Sequence, residues 1–181
     1  MDSALAWIGQ IAQWFGQLIP RWMIIPTTHR GLKFVGGSRV VVAPPGIMWY
    51  WLARTEAVMY PVALQTTILR TQTLTTADDK TITVGGLIEF EIDDLGKLYP
   101  FIYEPDQLIE DIALAAVNAV VCDKTWDELK ALNRSGRLAR QLTSEARQLL
   151  RSHGVKVVKL MVTDLAPCRV LRLVTNAPQK T

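Results

Sequence analysis

The segment from Leu74 to Ile92 constrains this chain most. After a turn at Asp78-Asp79-Lys80, the side chains alternate in character. Ile82, Val84, Ile88, Phe90 and Ile92 fall on one face of an extended chain, and Thr81, Thr83, Glu89 and Glu91 fall on the other. Successive residues of a strand point to opposite faces, so this pattern predicts a strand with one buried side. Ile88 and Phe90 belong in the core, and Glu89 belongs at the surface.

The region from Gly31 up to that strand also reads as β. Gly36-Gly37-Ser38 and Pro44-Pro45-Gly46 are turns between short apolar runs. Trp49, Tyr50 and Trp51 follow the second turn and suit either the core of a strand, the preferred reading, or a lipid-facing tip. Thr55 to Tyr60 and Ala63 to Leu74 are further strands, split by Pro61.

The second half is helical. Pro105 and Asp106 open a helix with Leu108, Ile109, Ile112, Ala113, Ala116, Val117 and Val120 on one face. Thr125 and Glu128 have the spacing of a capping box for a short helix. Ser135 is a cap for the next helix, with Leu138, Leu142, Ala146 and Leu149 inward and Arg137, Arg140, Arg147 and Arg151 around the rest. Gly154 is a C-terminal stop. Val155 to Val162 is apolar on both faces apart from Lys156 and Lys159, which predicts a central strand. Cys168 to Val174 alternates like a strand. The fold class is α+β: a mainly antiparallel N-terminal sheet, then packed helices and a late strand.

Residues Ser3 to Ile19 read as an amphipathic helix ended by Pro20. Trp7, Ile8, Ile11, Trp14, Phe15 and Leu18 recur at helical spacing, with Gln10, Gln13 and Gln17 opposite. A membrane span needs about 20 predominantly apolar residues, and three glutamines and two glycines dilute this stretch. Trp7, Trp14 and Trp22 favour the headgroup boundary. The helix therefore reads as lying in a membrane interface, or as packed on protein.

At 181 residues, 49% of them apolar, the chain makes one domain or one domain with an appendage. Cys122 and Cys168 supply no disulfide framework and read as buried thiols of a reducing compartment. No cleavable signal is visible, because Asp2 sits where a basic region would precede it. The net charge is only +3, but it is unevenly spread. Asp78 to Glu128 holds thirteen acidic and three basic residues, whereas Arg134 to Arg172 holds nine basic and two acidic. Opposite signs on one small domain suit head-to-tail self-association through Glu89, Glu91, Asp93, Asp94, Arg140, Arg147 and Arg151. Two independently solvated faces are the plainer reading.

No catalytic pattern emerges. Glycine-rich phosphate loops are absent. His29 and His153 are isolated and lack metal-ligand spacing. Asp78-Asp79 and Asp93-Asp94 sit where aspartate serves turns, and no serine has the context of a nucleophile. The chain reads as non-enzymatic, without cofactor, metal or small-molecule substrate. The arginines between 134 and 151 could contact phosphates, but no aromatic residue is interleaved, which disfavours nucleic acid.

Several of these words together resemble an SPFH domain, the band-seven family of stomatin, prohibitin, flotillin and the bacterial HflK/HflC pair. They are the run Val40-Val41-Val42-Ala43-Pro44-Pro45-Gly46, the turn and strand from Leu74 to Val84, and Thr125-Trp126-Asp127-Glu128-Leu129. Gly154-Val155-Lys156-Val157 and Thr163-Asp164-Leu165 complete the set. The resemblance implies a membrane-interface segment over 1–30, an SPFH-like domain over 31–174 and a tail over 175–181. Most relatives continue from about Cys168 into a long coiled coil, so this chain reads as a minimal member. By resemblance it is a membrane-associated scaffold at the inner face of a cell membrane. It would assemble with itself into a ring or microdomain-organising patch, against a lipid bilayer, and regulate a membrane protease or other membrane protein. The rival classes are a soluble structural ring subunit and a nucleic-acid-binding module.

Overall fold

The computed structural model describes residues 20–52, 54–99, 102 and 104–168. The helix expected from Ser3 to Ile19, the residues after Cys168 and the tail from 175 lie outside them. Strands come first: β1 (Pro20–Ile25), β2 (His29–Val35), β3 (Arg39–Ala43), β4 (Gly46–Trp51), β5 (Thr55–Pro61), β6 (Gln65–Thr75) and β7 (Thr81–Ile92). Helices follow: α1 (Leu95–Leu98), α2 (Pro105–Cys122), α3 (Trp126–Arg134) and α4 (Arg137–Leu150), then a 3-10 turn over Arg151–His153. Strand β8 (Val155–Pro167) ends the described chain. The α+β class read from the sequence is the observed one. Among the described residues, strand structure is already present at Pro20, inside the segment assigned to the membrane interface.

The chain divides into two compact units. The first holds the described residues up to Gln65, with Phe90–Leu108 and Leu150–Lys156. Here β2 is the middle strand of an antiparallel sheet ordered β3-β2-β5. Beside it, β1 and β4 form a two-stranded antiparallel ribbon. Glycines make the tight turn between β2 and β3, with Gly36 and Gly37 at φ 63° and 75°. The core of this unit contains Ile25, Leu32, Met48, Phe90, Ile92, Leu95, Leu98, Leu150 and Val155. Asp94 caps α1 by accepting from the Gly96 N–H at 3.1 Å. Gly154, at φ 75°, ends the 3-10 turn, and its carbonyl accepts the N–H groups of Asp93 and Asp94, each at 3.0 Å.

The second unit holds Thr66–Glu89, Ile109–Leu149 and the described residues from Val157. Its sheet is ordered β6-β7-β8. Along β7, Ile82, Val84, Ile88, Phe90 and Ile92 are all buried and the threonines and glutamates between them are half-exposed, which is the expected register. The capping box of α3 forms as read: Thr125 accepts from the Glu128 N–H, and Glu128 accepts from the Thr125 N–H at 2.9 Å. Asp78 fixes the β6–β7 turn to α3 by accepting from the Trp126 N–H at 3.0 Å and from the Thr76 hydroxyl at 2.6 Å.

Six local readings are corrected. On α2 the buried face uses Val121 in place of Val120, and on α4 it uses Leu150 in place of Leu149, which is 38% exposed. Ser135 closes α3 with its hydroxyl on the Leu132 carbonyl and does not open α4; Gly136, at φ 66°, separates the two helices. Cys122 is exposed on α2. Trp49 and Trp51 are exposed, not core. Finally, β8 is an edge strand, not a central one. Its buried positions slip by one between Val157 and Leu160, leaving Val158 and Lys159 both exposed, as a bulge would. Its bare edge is satisfied by α4. The Leu160 N–H donates to the Thr143 hydroxyl at 2.9 Å, and the Arg147 guanidinium donates to the Val157 carbonyl at 3.0 Å.

Candidate membrane-interface site

The site is built by one pairing. In the ribbon, Trp22 lies opposite Trp49, Ile24 opposite Ile47, and Pro20 opposite Trp51. With a period of two, these six residues share one face. Residues directly opposed on antiparallel strands have Cβ atoms about 5 Å apart, so the rows form a continuous apolar surface. That surface is bare: Trp22 is 59% exposed, Ile24 59%, Ile47 67%, Trp49 58% and Trp51 52%. No charged residue belongs to this face. Leu52, just past the strand end, is exposed as well.

The other face explains why the ribbon holds this orientation. Ile25 and Met48 are buried there. They close over Gly31 of β2, where a Cβ would sit 2.6 Å from Ile25 Cδ1 and 3.0 Å from Met48 Sδ. A side chain at this position would push the ends of Ile25 and Met48 off their seat. Lys33, two residues along the same strand, donates its ammonium to the Trp49 carbonyl. A two-stranded ribbon alone is marginally stable in water, so this seat on β2 presents the tryptophans outward.

Cations border the surface at one end. Arg21 pairs with Tyr50 beside the Pro20–Trp51 pair, and the Arg54 N–H donates to the Trp51 carbonyl at 3.1 Å. Neither arginine nor Lys33 has an ion-pair partner among the described residues. Residues 20 to 61 contain five basic side chains and one acidic, Glu56.

Of the membrane-interface residues read from sequence, Trp22 lies on this face, and Trp7, Ile8, Ile11, Trp14, Phe15 and Leu18 lie outside the described residues. Trp49 and Trp51 join the site only through the structure. Their segment, Gly-Ile-Met-Trp-Tyr-Trp, is apolar on both faces, so alternation cannot tell which side is wet. The signal lay in the partner strand, where Trp22 and Ile24 alternate with Arg21 and Met23.

The acidic and basic residues assigned to self-association are spread over both units. In the first, Glu91 pairs with Lys156 at 3.0 Å and Asp94 with Lys97 at 3.2 Å, both partly exposed and each worth little. Asp93 is exposed, and Arg151 starts the 3-10 turn instead of ending α4. In the second, Arg147 is committed to the β8 carbonyls, and Arg140 is exposed on α4. Glu89 is half-exposed on β7.

Elsewhere the titratable groups serve structure. Hydrogen bonds from Lys80, the Thr76 hydroxyl and the Trp126 N–H hold the Asp78 carboxyl well below the ordinary aspartate range. Burial, aided by Asp106 and Tyr60, pushes the Tyr99 phenol up. Among the described residues no group of three or more His, Cys, Asp or Glu side chains could hold a metal, and no helix is long and apolar enough to cross a membrane.

A family model described as SPFH domain / Band 7 family matches residues 23–180. The chain belongs to that family. The match begins inside β1, after Trp22, and covers all of β4. SPFH proteins are generally non-enzymatic scaffolds, and the domain is compatible with a membrane-associated role. No curated protein matches the chain in sequence.

Proposed function

We propose that this SPFH domain is a membrane-associated, non-enzymatic scaffold that assembles with itself into a ring or patch and organises membrane proteins around it. The supporting observation is the bare ribbon face of Trp22, Ile24, Ile47, Trp49 and Trp51. Exposed apolar patches rimmed by polar residues mark interaction sites. Tryptophan dominates this one, and tryptophan prefers the boundary between headgroups and acyl chains. In sequence, β1 follows immediately on the uncharged, tryptophan-bearing segment 3–19. A protease or channel in the same bilayer is the class of client such a scaffold would hold. The free thiols of Cys122 and Cys168 fit the reducing, inner face of a cell membrane.

Magnitude explains why assembly and docking go together. The five side chains are already partly covered, so transfer into the interface yields about 1 kcal/mol each. A total of about 5 kcal/mol corresponds to a Kd of roughly 0.1–1 mM for one copy. Several copies on one ring bind far more tightly without any new contact. Liposome co-sedimentation tests the reading. Wild-type protein should pellet with vesicles. Trp22→Ser with Trp49→Ser and Trp51→Ser should stay in the supernatant, and so should Trp7→Ser with Trp14→Ser and Phe15→Ser. Wild-type protein that never pellets would favour the soluble structural subunit, and pelleting of both variants would remove this face from the function.

A further inference from the structure

The ribbon is apolar on one face and cationic at one end, and that combination names a ligand. Arg21, Lys33 and Arg54 all approach the Pro20–Trp51 end. Arg21 follows Pro20 at the strand end, on the ribbon face opposite the tryptophans, Arg54 is hydrogen-bonded through its backbone to Trp51, and Lys33 is bonded to the carbonyl of Trp49. Arg21 and Arg54 are exposed. The opposite end carries Ile24, Ile47 and the Pro44-Pro45-Gly46 turn, with no charge among them. Arg30 does not disturb this polarity: it alternates with Gly31 and Lys33 on β2, so it sits on the face turned away from the ribbon.

We infer that the ribbon is a docking surface for anionic phospholipid. The inference rests on the membrane reading above and specifies its ligand and orientation. The uncharged Ile24–Ile47 end enters deepest, the three tryptophans lie at headgroup level, and the cations at the Trp51 end meet lipid phosphates and acidic headgroups. Charge complementarity selects this occupant over an apolar protein surface. An apolar protein partner would leave three cations beside the interface without counter-charge, whereas an anionic leaflet supplies it continuously. Lys33 has a further role. Its bond to the Trp49 carbonyl ties the cation to the strand that carries two of the tryptophans, so apolar and ionic contacts are made together.

Each basic side chain close to an anionic surface strengthens binding about fivefold at low salt. The effect fades when the Debye length shortens. The experiment measures partitioning of the full chain onto vesicles of phosphatidylcholine with and without phosphatidylserine, at low and high salt. Wild-type protein should bind the phosphatidylserine vesicles roughly 100-fold more tightly at low salt and lose most of that preference at high salt. Arg21→Gln with Arg54→Gln should lower the preference about 10- to 30-fold, while binding to phosphatidylcholine alone stays unchanged. Lys33 is retained in that variant so that the ribbon keeps its seat, and an unchanged circular dichroism spectrum and melting temperature would show that the fold is intact. Equal wild-type binding to both vesicle types overturns the inference and leaves the membrane reading standing. Binding to neither overturns both. An intact, folded double variant that keeps the full preference assigns it to other cations and overturns the inference as well.

Discussion

Gly154→Ala, measured against Gly136→Ala, separates two costs that glycine normally hides. Both glycines have φ in the left-handed region, 75° and 66°. That conformation costs a residue with a side chain about 1–2 kcal/mol. At Gly136 a new Cβ meets nothing within 4 Å, so this strain should be the whole effect. At Gly154 the Cβ would lie 2.5 Å from the Asp94 carbonyl oxygen and 3.0 Å from the Asp94 Cβ. Backbone must move, and the same junction carries the hydrogen bonds from the Asp93 and Asp94 N–H groups to the Gly154 carbonyl. Losing those adds about 1 kcal/mol each. Gly154→Ala should therefore cost about 3–4 kcal/mol and Gly136→Ala about 1–2 kcal/mol. For a chain this long each kcal/mol lowers the melting temperature by roughly 2–4 °C. Thermal melts should show a drop of about 10 °C for the first and about 3 °C for the second. Equal drops would refute the crowding argument.

Three further outcomes are expected. Phe90→Ala, at a site 2% exposed, should cost about 3–5 kcal/mol in urea unfolding while Glu89→Gln stays near neutral; an unchanged Phe90→Ala would contradict the β7 register. Because hydrogen bonds depress the Asp78 carboxyl in the folded state, its stabilisation is present above the ordinary aspartate value of 3.8 and is lost as pH falls below it. Wild type should thus exceed Asp78→Asn in stability at neutral pH and converge with it in strong acid, and a pH-independent difference would refute the linkage. If the charge asymmetry directs self-association, Arg140→Glu with Arg151→Glu should reduce particle size in light scattering at low salt, and adding Glu89→Lys and Asp93→Lys should partly restore it; these residues are chosen because Arg147 and Glu91 already have internal partners. No change on the first reversal would exclude this interface.

What was legible in the sequence was whatever a local pattern decides. The β7 alternation, the Thr125–Glu128 capping box and the Gly154 stop depend on neighbours within a few residues, and all are observed. What was not legible depends on pairing. The edge position of β8 was hidden because its buried positions shift by one between Val157 and Leu160, so apolar residues occupy both odd and even positions and imitate a central strand. The Ser135 reading failed because Gly136 intervenes, leaving the serine to close one helix in place of opening the next. The ribbon was the largest gap. Trp49 and Trp51 become surface only when β4 pairs with β1 and Gly31 draws Ile25 and Met48 inward, a long-range choice that composition cannot reveal. The charged residues proposed for self-association were readable as a cluster in sequence, but which of them are already paired was not.

The most direct test of the scaffold reading is electron microscopy of the purified chain with and without phosphatidylserine-containing vesicles. Rings or patches of regular spacing should appear on the bilayer, with the Trp22–Trp49–Trp51 face of each copy against the headgroups. Single particles of monomer size in both conditions, with the vesicle surfaces bare, would contradict it.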